Sequence, residues 1–345
     1  MSSVSVVIPC YNYAHYLRGC VESVLSQEGV DVQVLIIDDA SSDDTAGVAT
    51  DLARDARVTF WRHEQNRGHI ATYNEGLAWA SCDYTLLLSA DDMLVPGALR
   101  RAAGALDTYP SAGLAYGRSL LFAENDALPP ARTGEPRVDR WSGRDWIEKR
   151  CETATGCISS PEAVVRTSVQ HAVGGYRPEL TATGDTEMWM RFAARGDVLF
   201  LGGVDQAYYR RHPQSMSQTT YSAALVDLQQ HRAAFDAVFD DPDVVIADRA
   251  RLQEKVHRVL ARKALRIACR AYDRRRIDRV PVDDLEAFAL ETCASAKRLP
   301  EYRALQRRRA LGPRVAPLLA PFALFAYVAW VRDKLWWRRW ALKGV

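Results

Sequence analysis

The chain has 345 residues, 48% hydrophobic and 26% charged, which supports a sizeable core and excludes a disordered protein. A formal net charge of +2 argues against a nucleic-acid binder, and seven scattered cysteines without a C-x-x-C pair exclude a disulfide framework and fit a reduced compartment. The opening MSSVSVVIPCYN has no basic region and enters an apolar run at once, so it is not read as an export signal.

Through the first hundred residues, apolar runs of strand length alternate with helix-like stretches, the pattern of βαβ units and a largely parallel sheet. Strands are expected at 4–8, 32–37, 58–63 and 84–88, and helices at 14–27, 43–55 and 69–80. Ser41-x-x-Asp44 has the spacing of a capping box for the second helix, and Pro96 suits the first position of a helix running to about Tyr109. The stretch 124–145, rich in Pro, Gly and charge, reads as a mobile surface loop. Residues 146–220 are mixed, with a helix expected over 186–195, and 222–311 read as mainly helical.

Two acidic pairs follow strands: Asp38-Asp39 after VQVLII, and Asp91-Asp92 after YTLLLSA. In open α/β sheets ligands gather beyond the carboxyl ends of the strands. Helix capping does not explain either pair, because Pro96 puts one cap near Val95 and Ser41 or Ser42 supplies the other. Adjacent carboxylates repel one another and are costly to bury uncompensated. A hard divalent cation shared with substrate phosphates resolves both problems, and a structural turn is the competing reading.

The segments VSVVIPCYNYAHYLRGCVESVLSQ, VLIIDDASSDDT, NRGHIATYNEGL, LLLSADD, VGGYRPEL, TGDTEMWMRF and YYRRHPQSMS, in this order, resemble the family-2 inverting glycosyltransferases of the GT-A fold over residues 1–220. The resemblance implies a Rossmann-like α/β domain with a mostly parallel mixed sheet flanked by helices, followed here by a helical extension at 221–312. It implies that Pro9, Tyr11 and Asn12 border the nucleotide, that Asp39 contacts its base, commonly uracil, and that Asp91 lies near the ribose or sugar. Asp92 would be the direct ligand of Mg²⁺ or Mn²⁺, His212 would help hold metal or diphosphate, and Asp185 would be the catalytic base. Ala90-Asp91-Asp92 departs from a literal D-x-D. Arg67 is a further candidate for phosphate or ribose, with solvation as its alternative; His63 and His69 read as structural or surface residues. Glu187 is the rival carboxylate to Asp185, which could also be only an acidic first helical turn, and Trp189 either floors the acceptor site or is core. His212 beside Arg210, Arg211, Ser215 and Ser217 suggests an anion-facing loop.

The chemistry fits these residue types. Expelling a nucleoside diphosphate from a sugar carbon calls for stabilised negative charge on the leaving phosphates and a base for the acceptor hydroxyl. A nucleotidyltransferase would need a glycine-rich loop after the first strand, and a HAD-type phosphatase an Asp where Cys10 stands. A non-catalytic sugar-nucleotide or partner-binding protein is the alternative from another class.

From Arg298 onward there are eleven Lys or Arg against Glu301 and Asp333, a net +9 that leaves −7 for the rest. Residues 315–331 are uncharged and apolar, interrupted by Pro317 and Pro321, and are followed by Trp336, Trp337 and Trp340 among basic residues. That composition makes a poor membrane span and suits an interfacial segment on anionic lipid at 313–345, against a folded-back helix. The expectation is a cytoplasmic, peripheral enzyme making single additions to a saccharide acceptor on a polyprenyl carrier, without the Q-x-x-R-W motif of processive synthases.

Overall fold

The computed structural model describes residues 1–124, 126–213 and 224–316, and in the last stretch 331, 334, 335, 338–340 and 342–345. Two compact units divide the chain, one of residues 1–147, 156–215 and 341–344, the other of 148–155 and 216–340 with 345.

To residue 211 the elements run β1 (Ser3–Cys10), α1 (Ala14–Leu25), β2 (Asp31–Asp38), α2 (Thr45–Leu52), β3 (Val58–Arg62), α3 (His69–Trp79), β4 (Tyr84–Leu87), β5 (Met93–Leu94), α4 (Ala98–Thr108), β6 (Ala112–Tyr116), β7 (Ser119–Ala123), β8 (Arg137–Trp141), α5 (Gly143–Thr153), β9 (Ala163–Arg166), α6 (Thr167–Val173), α7 (Gly184–Arg195), β10 (Asp197–Gly202) and β11 (Ala207–Arg211), all in the first unit except the part of α5 after residue 147. Eight strands form one sheet in the order β3-β2-β1-β4-β9-β6-β10-β8, and β5-β11-β7 form a second. The pairs β3-β2, β2-β1, β1-β4 and β6-β10 are parallel, whereas β9 and β8 are antiparallel to their neighbours. This is the mostly parallel mixed α/β sheet expected from the sequence.

The parallel strands read as unbroken apolar runs because both faces are covered. Val4, Val6 and Ile8 join the core that α1, α2 and α4 close, with Leu17, Cys20, Val21 and Val24 forming the buried stripe of α1 at helical spacing. Each such side chain contributes about 2 kcal/mol on burial. On the opposite face α3 comes so close to β1 that a Cβ on Gly76 would lie 2.1 Å from Val7 Cγ1.

Three expectations are corrected. The stretch 124–145 is not one loop: Val138 and Trp141 pair with β10 as the edge strand β8, and Arg132 anchors the preceding segment on Asp205 through Nη2–Oδ1 at 2.6 Å. The capping box at Ser41 does not form, since the helix starts at Thr45 and Ser41 Oγ instead accepts the Asn12 N–H at 2.9 Å. Pro96 precedes rather than opens α4, whose N-cap is Gly97 with φ 74°.

The second unit carries α8 (Ala224–Phe239), α9 (Arg249–Asp273), α10 (Val282–Thr292) and α11 (Pro300–Val315). Leu252, Val256, Leu260, Ala264, Leu265 and Ala268 give α9 its buried stripe. Arg262 and Arg266 meet Glu301, and Arg308 meets Asp273, fastening α11 along α9. Ser215, Ser217, 317–330, Trp336 and Trp337 lie outside the described residues, so the interfacial expectation for them is not addressed by the fold. Residues 342–344 belong to the first unit, where Trp141 Nε1 donates to the Lys343 carbonyl at 3.1 Å and Tyr116 Oη to that of Gly344.

Candidate active site

The turn after β4 places Asp91 and Asp92. Asp92 N–H closes it on the Ser89 carbonyl at 3.0 Å, and Met93–Leu94 then pairs antiparallel with β11. That pairing brings the end of β11 over the acidic pair. Arg210 N–H donates to Asp92 Oδ1 at 2.9 Å, its Nε to the Asp91 carbonyl at 2.9 Å, and His212 Nε2 stands 3.0 Å from Asp91 Oδ2. The Arg210 guanidinium lies 4.5 Å from the ring centres of both Tyr16 and Phe122, so it faces inward and not toward an anion in solution. Burial, and then the Asp91 charge, push the Asp92 carboxyl well above the usual range.

Two carboxylates and an imidazole are suitable donors for Mn²⁺ or Mg²⁺, and a cation would compensate the burial of the acidic pair. No group of three such side chains is preassembled as a cage among the described residues. The residues therefore fit an ion held by one or two side chains and completed by substrate phosphates.

Pro9 sits near the end of β1 opposite Ile37, and the Tyr11 side chain is half exposed. Asn12, at φ 59°, accepts the Ser42 N–H at 2.8 Å and so ties the loop after β1 to the loop after β2. Asp39 is buried: Oδ1 accepts Arg67 N–H at 2.8 Å and contacts His63 Nδ1 at 2.7 Å, while Oδ2 accepts Gly68 N–H at 2.9 Å. Burial alone would raise this carboxyl, but the His63 contact and the two amides outweigh it and hold it below the usual range. The Arg67 side chain remains half exposed and reaches Glu75 Oε2 at 2.8 Å. His63, read from sequence as a structural or surface residue, joins Asp39 to Glu75.

Asp185 lies in the first turn of α7. Tyr176 Oη donates to Oδ1 at 2.8 Å and Ser160 Oγ to Oδ2 at 3.0 Å. Desolvation raises its pKa despite these two hydroxyls and the nearby His69. Its rival is accounted for: Glu187 is fully buried between Arg177 Nε at 2.6 Å and Arg191 Nε at 2.7 Å. Trp189 is a core residue, 5% exposed and 5.9 Å from the Phe192 ring. His69 Nε2 stands 3.3 Å from the Thr181 carbonyl. Sequence reasoning missed Tyr176, Ser160 and a second buried carboxyl, Glu162, which accepts Ser119 Oγ at 2.6 Å. Tyr176 lies inside the quoted VGGYRPEL segment, but only the fold turns its hydroxyl toward α7.

Residues 5–160 match the family model described as glycosyl transferase family 2. An uncharacterized protein of Mycobacterium tuberculosis is 27% identical over 69% of this chain and 76% of its own length. A GalNAc(5)-diNAcBac-PP-undecaprenol beta-1,3-glucosyltransferase of Campylobacter jejuni is 33% identical over 29% of this chain and 33% of its own length. The chain thus spans about a third of that enzyme, and 42% of an uncharacterized glycosyltransferase of Nostoc. Among solved structures, Staphylococcus aureus TarS 1-349 with UDP-GlcNAc superposes with a TM-score of 0.58 at 14% identity, over 87% of this chain and 91% of that one. The mannosyltransferase PcManGT of Pyrobaculum calidifontis, with GDP-Man and Mn²⁺, gives 0.56 at 16% identity over 97% and 87%. At those identities the superpositions speak for the fold alone, that of the GT-A glycosyltransferases, and the match to glycosyl transferase family 2 is carried by residues 5–160.

Proposed function

We propose that this enzyme transfers a sugar from a nucleoside-diphosphate sugar, a UDP-sugar first among candidates, to a hydroxyl of a saccharide acceptor, with inversion at the sugar carbon. The observation that carries this reading is the position of Asp185, a carboxylate of raised pKa held by two hydroxyls at the start of α7, with Glu187 already committed to two arginines. The raised pKa makes Asp185 a better proton acceptor than an ordinary carboxylate. It takes the acceptor's hydroxyl proton as that oxygen attacks the anomeric carbon, and the bonding pair to the diphosphate leaves with the phosphate oxygen.

Pro9, Tyr11, Asn12, Asp39, Arg67 and Asp91 surround the donor in this reading, and Asp92 with His212 would hold Mn²⁺ or Mg²⁺. When bound, that ion neutralises charge on the departing diphosphate. Asp91 lies toward the ribose or sugar in this reading, while Tyr176 and Ser160 aim the base. The acceptor we assign is a polyprenyl-linked saccharide used in cell-surface polysaccharide assembly at the cytoplasmic face of the membrane. The basic C-terminal composition and the undecaprenol-linked chemistry in the Campylobacter relative's name support that assignment. Among the described residues no helix is long and apolar enough to cross a membrane.

Calorimetric titration of UDP, GDP and dTDP, with and without Mn²⁺, tests the donor site. Metal-dependent binding of one nucleotide that disappears in Asp92→Ala is expected, with Asp185→Asn abolishing turnover while binding survives. Absence of binding by all three nucleotides would return the chain to the non-catalytic alternative.

A further inference from the structure

His63 directly follows β3, with its backbone N–H on the Asp38 carbonyl at 2.9 Å. Its imidazole is 8% exposed and stands between two carboxylates, Nδ1 at 2.7 Å from Asp39 Oδ1 and Nε2 at 2.9 Å from Glu75 Oε2. Ionised carboxylates only accept hydrogen bonds, and a neutral imidazole has a single N–H to give. One of the two contacts would then set lone pair against lone pair. The geometry is satisfied at both ends by an imidazolium.

The chain of charge does not stop there. Glu75 Oε2 also accepts Arg67 Nη1 at 2.8 Å, and Asp39 holds the Arg67 and Gly68 amides, with Gly68 at φ 82°. Asp39, His63, Glu75 and Arg67 thus alternate in sign from the end of β2 through the loop before α3 and into α3. The other charges at this corner are committed elsewhere: Asp38 Oδ1 accepts Ser41 N–H at 2.9 Å, and Arg62 reaches Asp38 Oδ2 at 3.2 Å and the Ser41 carbonyl at 3.1 Å. A histidine that merely filled space would not need an acceptor on each nitrogen.

We propose that His63 is a positioning residue for the sugar-nucleotide donor: it fixes Asp39 and, through Glu75, the Arg67 guanidinium, so that donor affinity falls when this bridge is removed. The inference rests on the donor-site reading above, since it needs a nucleotide to position against.

The experiment is calorimetric binding of UDP, GDP and dTDP with Mn²⁺ to wild type, His63→Gln, Glu75→Gln, Arg67→Ala and the Glu75→Gln/Arg67→Ala double variant. For whichever nucleotide binds, His63→Gln is expected to weaken it about tenfold, the size of one lost charge-assisted hydrogen bond. Glu75→Gln, at a partly exposed site, should weaken binding alone but add nothing to Arg67→Ala, and it decides the matter if His63→Gln does not fold. Variants with wild-type affinity overturn the proposal, and so does a loss by Glu75→Gln that persists in full beside Arg67→Ala, which would mark a structural role. Wild-type protein that binds none of the nucleotides removes the donor-site reading and this proposal with it, whereas binding that ignores these substitutions removes this proposal alone.

Discussion

Asp185 and Glu162 are both buried carboxyls of raised pKa, but their surroundings give them different consequences. Asp185 must be ionised to act as a base, so the acid limb of the pH–rate profile should lie above the usual carboxylate range. Tyr176→Phe removes a hydroxyl that stabilises the anion and should move that limb up by about one pH unit, as one hydrogen bond of about 1.4 kcal/mol requires. A rate profile in which kcat keeps its wild-type limb would deny Asp185 the role. Glu162 titrates as a stability group, with burial pushing it up to about 7 against the pull of Ser119 and Ser159. In the folded state it holds its proton longer than in the unfolded chain, so its effect is neutral at low pH. Stability is lost as pH climbs from about 4.5 to about 7 and stays lost above. Glu162→Gln should abolish that loss, worth up to about 3 kcal/mol at pH 8 in chelator, and raise Tm at pH 8 while leaving it unchanged at pH 4.5. Equal shifts at the two pH values would mean that packing, and not ionisation, is being measured.

At the scale of elements, the small sheet β5-β11-β7 is the device that completes the acidic corner. Its register sets Tyr208 opposite Met93, and Arg210 follows over Asp91 and Asp92. Arg210→Met leaves the backbone bond to Asp92 but removes the guanidinium from between Tyr16 and Phe122. We expect a destabilisation of about 2–4 kcal/mol in chelator that is partly recovered in Mn²⁺, read by urea unfolding, because the uncompensated acidic pair is then relieved by the ion. Loss of the same size with and without Mn²⁺ would show that no cation shares the pair. This corner also marks how far the sequence carries. The strands of the first hundred residues were legible because double-sided burial makes them continuous apolar runs, and the helices between them because Leu17, Val21 and Val24 repeat at helical spacing. The strand at 137–141 was not, since it is an edge strand whose charged Arg137, Asp139 and Arg140 alternate with only two large apolar residues. Helix caps failed for a related reason: Ser41 had a tertiary partner in Asn12 that no local spacing reveals. Motif order singled out Asp91, Asp92, Asp185 and His212 as candidates, but the contacts of Arg210, Tyr176 and Ser160 with them, and of His63 with Asp39, depend on pairings between distant segments.

For the whole molecule, charge is divided between the two units. The first holds 19 Lys and Arg against 26 Asp and Glu, net −7, and the second 26 against 17, net +9, so a near-neutral total conceals a basic helical part. Within the second unit the Arg308–Asp273 pair sets the middle of α11 beside the C-terminal end of α9. The exposed Arg274, Arg275 and Arg276 directly follow that end of α9, and exposed Arg307 adjoins Arg308 on α11. Asp278, Asp283 and Asp284 offset part of that charge, but no acid lies between Arg303 and Arg314. The uncharged run 315–331 starts at the end of α11 in the sequence, after the break at Gly312, where φ is 74°. Basic charge beside an apolar run is the composition that binds anionic lipid, each arginine contributing about 1 kcal/mol near the surface. The full chain should therefore sediment with vesicles of phosphatidylglycerol and phosphatidylcholine and much less with phosphatidylcholine alone. Raising salt well above 0.1 M, where screening acts over about 10 Å, should weaken this binding. Replacing Arg274, Arg275 and Arg276 together by Glu should lower vesicle affinity by more than tenfold and leave nucleotide binding intact, because the proposed donor residues all belong to the other unit. Binding that tolerates both salt and charge reversal would assign the contact to the apolar run instead, and no binding to either vesicle would remove the membrane from the proposed function without touching the transfer chemistry.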